Sequence, residues 1–313
     1  PETVSTDAPT PVSGGLSTAQ VRQQERSVGR NSTLMAMGTL GSRVLGVVRN
    51  ALGVAVIGAN TKAADAFNTA NTLPTQIYVL IDSGLLTAVL IPAITKALKN
   101  RDGGKDFVNR LLTVCLLGLV VVTAVATAAT PWLIRLLANT SDPAALQLTI
   151  LLGYICMPQI LFYGIYAVLG QVLNVQNRYG AFAVAPALAN VVQIVGLVVF
   201  LLLWGHQPVP GEWSATMAWV LAGSYTLGIA VQGLSVAVAL RRSGFRFRPA
   251  LGLRGYGFGS VSRLAGWTFG AVGVSQLGLL FATRLFWTLG EGTDGGPVTV
   301  YNQAFVAFML PHS

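Results

Sequence analysis

Two guanidinium groups fall inside an otherwise apolar stretch, Ser42-Arg43-Val44-Leu45-Gly46-Val47-Val48-Arg49-Asn50. A cation at the centre of a membrane helix costs roughly 2.5–3.5 kcal/mol on insertion scales, so it turns toward a cavity or an ionic partner. The planar guanidinium fork holds two phosphate oxygens at once. The chemistry these residues predict is capture of a polyanion, with Ser42 and Asn50 as polar neighbours. Six residues of helix set Arg43 and Arg49 ~120° apart. Both could line one wide cavity, or a bend at Gly46 could bring them together. The candidate acids are Asp82, inside the next apolar segment, and Asp65, at its entrance. One reading is an Arg43–Asp82 ion pair that locks two helices. The other is a cationic cavity for an anionic substrate, favoured because buried arginines outnumber intramembrane acids. A third arginine, Arg284, either snorkels toward Glu291 and Asp294 or faces the same cavity.

Other chemistry is poorly represented. The sequence has no Walker loop, HExxH or GxSxG motif and no Cys/His cluster, so the chain does not read as an enzyme. Cys115 and Cys156 sit in apolar runs as small core residues, and His206 and His312 are isolated. No cofactor is expected. Any transport would draw on an ion or potential gradient, or on a downstream reaction, and the coupling ion stays unassigned.

The elements that must position these groups are membrane helices. The chain of 313 residues is 53% hydrophobic and 10% charged. Soluble domains carry about 25% charge, and disordered chains are poor in apolar residues, so both classes are excluded. Apolar segments fall at about 32–57, 68–98, 108–137, 147–173, 181–204, 213–240, 264–290 and 297–313. The first seven are long enough to cross a bilayer. Pro74, Pro92, Pro158 and Pro186 mark kinks and packing sites rather than ends. Residues 1–31 read as a mobile polar tail with a short helix from near Ser17.

The net charge of +9 is distributed by loop. Basic residues cluster in the tail, after span 2 (Lys96 to Arg110), at Arg178, and after span 6 (Arg241 to Arg263). The alternate loops hold only Lys62 and Arg135. This bias places the N-terminus in the cytoplasm of a multi-pass plasma-membrane protein. The loop 241–263 interleaves arginines with Phe245, Phe247, Tyr256 and Phe258. Nucleic acid is rejected as its partner in favour of anionic membrane lipids.

Ser42-Arg43-x-Leu45-Gly46-x-x-Arg49, then Asp65-Ala66-Phe67 and Leu73-Pro74, resembles the start of the MurJ (MviN) lipid II flippases of the multidrug/oligosaccharidyl-lipid/polysaccharide exporter superfamily. Leu173-Asn174-x-x-Asn177-Arg178-Tyr179, then Ala183-x-Ala185-Pro186-x-Leu188-x-Asn190, is similar to that family's junction between helices 4 and 5. Pro131-Trp132 also fits. The resemblance implies an all-α polytopic protein with two six-helix bundles in a V around a groove. This chain would supply the first bundle (32–240), a basic interfacial loop (241–263) and two helices of the second (264–313), and would continue beyond Ser313. It implies that Arg43 and Arg49 bind a lipid-linked diphosphate, and that Gly46, Asp65, Pro74, Asp82, Asn177 and Pro186 serve structure or gating. Thr75, Tyr78, Val79 and Val306 depart from the family pattern and make the groove less basic, which Arg284 would offset. The implied function is translocation of the peptidoglycan precursor lipid II to the outer leaflet by alternating access. Cell-wall synthesis proteins are possible partners. Alternatives are export of another lipid-linked oligosaccharide or small molecule, or a non-transporting scaffold. The excess of Arg over Lys suggests a GC-rich, actinobacterial-like source.

Overall fold

A computed structural model describes residues 18–81, 105–175, 179–252, 259–291 and 295–309. Asp82, Asn177, Arg178, Arg254, Tyr256, Phe258 and Asp294 lie outside them. The described residues are helical: α1 (Thr18–Ile57), α2 (Lys62–Ile81), α3 (Lys105–Ala128), α4 (Thr130–Leu137), α5 (Pro143–Cys156), α6 (Gln159–Val175), α7 (Tyr179–Trp204), α8 (Ala215–Arg242), α9 (Gly259–Leu289) and α10 (Pro297–Met309). Six stretches among them are long and apolar enough to cross a membrane: Gly38–Ile57, Asp106–Ala128, Pro143–Asn174, Gly180–Trp204, Ala215–Arg242 and Gly270–Leu289. The protein is an all-α polytopic membrane protein.

Chain direction alternates, so the loops gather at two ends. One end carries Gly58, Asn139–Asp142, Gly205–Ser214, Glu291 and Gly296. The other carries Arg241, Arg242, Arg246 and Arg248, and is called the basic end below. Helix boundaries follow local chemistry. Gly58, at φ +84°, and Gly205, at φ +70°, stop α1 and α7 in the left-handed region that favours glycine. The Asp142 side chain caps α5 by accepting from the Ala144 and Ala145 amides, with Pro143 in the first turn. The Ser214 hydroxyl accepts from the Met217 amide at the start of α8.

Three expectations change here. The helix that begins near Ser17 does not stop at residue 31: α1 runs unbroken through Gly46 to Ile57, its 40 residues ~60 Å long. Span 3 is divided at Ala129, where Pro131 has no N–H to give. Span 4 is divided at Met157-Pro158, so Pro158 ends a helix rather than kinking one, and the freed Ile155 carbonyl accepts the Thr226 hydroxyl at 2.8 Å. Pro74 and Pro186 do lie inside helices, α2 and α7. The missing N–H of Pro186 leaves the Phe182 carbonyl free for the Tyr166 hydroxyl, 3.3 Å away.

Helix α8 packs closely against α7 and α6. A Cβ on Gly228 would sit 2.8 Å from the Ala189 carbonyl, and one on Gly233 would sit 2.8 Å from that of Phe162. Small residues let these backbones approach, the usual means of association in lipid. One buried cluster (Leu111, Leu112, Val168, Leu173, Val236) joins α3, α6 and α8. A second (Phe67, Leu152, Phe200, Leu221) joins α2, α5, α7 and α8. A third (Leu73, Ile134, Ile160, Trp287, Val298) seats α9 and α10 against α2, α4 and α6.

Candidate functional site

Arg49 is the organising residue. Its Nη1 donates to Asn190 Oδ1 at 3.1 Å and to Gln193 Oε1 at 3.0 Å. Its Nε and Nη2 donate to Asn50 Oδ1 at 3.3 and 3.0 Å. The guanidinium carbon lies 5.8 Å from the centroid of Tyr225, within cation–π range. Asn190 and Gln193 are one turn apart on α7 and almost fully buried. Asn190 Nδ2 donates back to the Ser42 carbonyl at 2.9 Å, and Gln193 Nε2 to the Tyr225 carbonyl at 3.4 Å. One pair of amides thus fixes α1, α7 and α8 around the cation.

Every one of these partners is neutral. A hydrogen bond to a charged group contributes about 1.5–3 kcal/mol net. Two or three of them offset the roughly 2.5–3.5 kcal/mol cost of an intramembrane arginine. The fold therefore holds Arg49 without a carboxylate, and its charge remains available to a ligand. The side chain opens on a cavity of about 430 Å³ between α1, α2, α8 and α10, lined further by Asn50, Asn68, Thr72, Thr75, Asn302 and Gln303. No carboxylate is among its lining residues.

The remaining sequence candidates distribute as follows. Ser42 joins the cage through its carbonyl, and Asn50 joins it directly. Arg43 is exposed, does not line the cavity, and makes no hydrogen bond or ion pair to a described residue. Its proposed partner Asp82 lies outside the described residues. Arg284 is placed elsewhere: its Nη1 donates to the Leu136 carbonyl at 2.5 Å, near the C-terminus of α4. Of the two orientations open to it, the structure takes the one away from the cavity, because the terminal carbonyls of α4 attract a cation. Gly46 is not pinched. A Cβ there would meet only Asn190 Nδ2, at 3.9 Å.

Asp65 does more than mark the entrance of a span. Its carboxylate accepts from the Val298 amide at 3.3 Å and from the Thr299 amide and hydroxyl, both at 2.7 Å. It thereby caps α10. Around it, Asn60 Oδ1 accepts from the Gly296 amide at 2.5 Å, Asn68 Nδ2 donates to Thr299 Oγ1 at 3.0 Å, and Trp287 Nε1 donates to Thr69 Oγ1 at 2.9 Å. These contacts roof the cavity at the Gly58 end.

Sequence reasoning missed Gln193 and gave Asn190 no contact. Two amides at i and i+3 in the apolar run Leu188-Ala189-Asn190-Val191-Val192-Gln193-Ile194 were the available signal, since amides in a span seek partners on other helices. The roof had no comparable signal: Lys62, one turn before Asp65 on α2, offered a basic neighbour, which the structure gives to Asp142 at 3.6 Å instead.

The arrangement has known counterparts. The fold matches a solved structure described as lipid II flippase MurJ in an inward closed conformation, with TM-score 0.66 and 18% identity, over 89% of this chain and 55% of that one. The probable lipid II flippase MurJ of Rhizobium meliloti (strain 1021) is 28% identical over 258 residues, 79% of this chain and 46% of its own length. That of Thermotoga maritima is 26% identical over 265 residues, 84% of this chain and 50% of its own length. The chain spans about half the length of the curated relatives it matches. The family model for lipid II flippase MurJ matches residues 54–313, which takes in the roof at Asp65, the amide pair on α7 and all of α8 to α10, so the chain belongs to the MurJ family.

Proposed function

We propose that this chain is the substrate-gripping half of a flippase that carries a lipid-linked peptidoglycan precursor across the plasma membrane by alternating access. The supporting observation is the Arg49 cage: an intramembrane cation held by neutral amides beside a cavity whose walls mix amides and hydroxyls with the apolar side chains of Val54, Ile57, Phe67 and Phe305. A diphosphate would take the charge, and the amides would take sugar hydroxyls. Drug-sized ligands fill pockets of about 300–1,000 Å³. At 430 Å³ the cavity holds a diphosphate with its nearest sugar, so a larger headgroup requires the helices to part.

In this reading residues 32–240 form the first bundle and 264–313 begin the second. The basic end lies in the cytoplasm, and the Asp65 roof is the outer gate in its closed state. Lipid II is the substrate named for the relatives, and the polyanion-seeking cage agrees with it better than with a cation antiporter. Arg43, exposed ~9 Å further along α1, meets the substrate as the cavity widens toward the basic end. The deciding experiment uses the full-length protein in proteoliposomes loaded with lipid II. The wild type exposes lipid II in the opposite leaflet. Arg49→Ala is expected to lose at least tenfold in rate per folded molecule, beyond the modest drop in melting midpoint that comes from leaving the Asn190 and Gln193 oxygens without their donor. A wild-type protein that folds and moves no lipid II would overturn the reading in favour of a scaffold.

A further inference from the structure

A second groove lies on the outside of the bundle, between α7 and α8 near the basic end. It has a volume of about 440 Å³ and is lined by Ala181, Val184 and Leu188 of α7 and Ser235, Val238 and Arg242 of α8. Ser235 is already satisfied by the Gln232 carbonyl of its own helix at 2.8 Å, so the floor presents little free polarity. The wall residues Val184, Leu188 and Val238 are 43%, 41% and 47% exposed, so the groove opens toward the surrounding lipid.

Arg242 closes one end. It is the last residue of the membrane-spanning stretch Ala215–Arg242, so it stands at the level where headgroups begin. Its guanidinium is exposed and makes no hydrogen bond or ion pair to a described residue. Arg241, Arg246 and Arg248 are exposed at the same end. From Leu188 to Ala181 the groove runs ~10 Å, about two-thirds of one leaflet of a ~30 Å hydrocarbon core.

This groove is separate from the Arg49 site. Ala181, Val184 and Leu188 are turned roughly 120–180° around α7 from Asn190, which faces α1. We propose that it is a binding site for an anionic glycerophospholipid of the leaflet at the basic end, with one acyl chain between α7 and α8 and the phosphate on Arg242. The apolar walls need a chain, the unpaired cation needs an anion, and their spacing matches one lipid molecule. This assignment goes beyond transport and stands or falls independently of it.

Native mass spectrometry of the full-length protein titrated with phosphatidylglycerol or phosphatidylcholine tests it. The wild type should retain phosphatidylglycerol about fivefold better, the effect of one basic residue at an anionic surface. Arg242→Gln should erase that preference and Arg242→Lys keep it. Val184→Trp, which fills the groove from its lipid face, should lower retention of both lipids, and Leu188→Trp repeats this from a second position. A preference that survives Arg242→Gln, or retention unchanged by both tryptophans, overturns the proposal. So does displacement by inorganic phosphate, which would mark an anion site without a chain. Displacement by undecaprenyl diphosphate would assign the groove to the substrate instead, and equally overturns it.

Discussion

The Asp65 carboxylate binds Thr299 twice, through the backbone amide and through the hydroxyl, each at 2.7 Å. The two residues are 234 positions apart, and the contact joins α2 to the first turn of α10. An N-cap contributes about 0.5–2 kcal/mol. At the upper figure, loss of the cap shifts a two-state equilibrium about thirtyfold. Asp65→Ala should therefore raise labelling of a cysteine placed at Asn302, in the cavity beneath, by at least tenfold for a membrane-impermeant maleimide added at the Gly58 end. Labelling equal to that of the parent would show that the roof is held elsewhere.

Gly296 lies against α2 with no room for a side chain. A Cβ there would sit 2.6 Å from the Thr61 amide nitrogen and 2.9 Å from Asp65 Oδ1. Real Cβ atoms do not come so close, so Gly296→Val must part α10 from α2. It should open the roof in the same direction as Asp65→Ala. Because both act on one contact, their effects should be less than additive in a double-mutant cycle. Full additivity of the two labelling increases would contradict a shared roof.

Much of this was legible in the sequence because it is periodic or costly. The spans follow from runs of ~20 apolar residues. Arg49 follows from the price of a cation in lipid. What pairs with Arg49 was not legible: Asn190 is 141 residues away, and an amide in a span announces a partner without naming it. Arg284 shows the same limit. Its type and depth fitted the cavity, but the open carbonyls at the end of α4 lay closer. The sequence reads Pro158 as a kink because neighbouring helices can satisfy the backbone groups it frees. The structure ends the helix there: the Ile160 amide turns to the Met157 carbonyl, and the Ile155 carbonyl accepts the Thr226 hydroxyl instead of a backbone amide.

Substitutions around Arg49 should separate grip from fold. Lysine carries the charge but not the fork, so Arg49→Lys cannot reach Asn190, Gln193 and Asn50 together. It should bind lipid II several-fold more weakly while melting within a few degrees of the wild type. Gln193→Leu should act more mildly, since Asn190 and Asn50 still orient the guanidinium. Binding measured in detergent by microscale thermophoresis distinguishes the ranking. A Gln193→Leu variant weaker than Arg49→Lys would mean that positioning of the cation outweighs its bidentate fork.

Arg284→Ala should leave lipid II binding unchanged, since its side chain points to Leu136 rather than the cavity. The cost should be structural and small, about 1 kcal/mol or less for an exposed cation at a helix C-terminus. Thermal unfolding would register it as a lowered midpoint. A clear loss of binding at constant stability would return Arg284 to the substrate site.

Glu291 accepts from the Ser141 hydroxyl and amide, and these hydrogen bonds hold its carboxyl below the usual 4.5, helped by nearby Lys62. A depressed carboxyl favours the folded contact fully above its unfolded value and loses that contribution as pH falls through the folded one. The bridge from α9 to the α4–α5 loop should therefore be constant from about pH 5 upward and weaken below about pH 4.5. Asn139 and Thr288, hydrogen-bonded at 3.1 Å beside it, are the reporters. A spin-label pair at these positions should report a short, narrow distance after equilibration at each pH, broadening only in acid. Glu291→Gln should flatten that profile, because an amide keeps an acceptor but has no proton to take up. A fall of equal size in the Glu291→Gln protein would assign the acid response to another group, Asp142 being the nearest acid at that end.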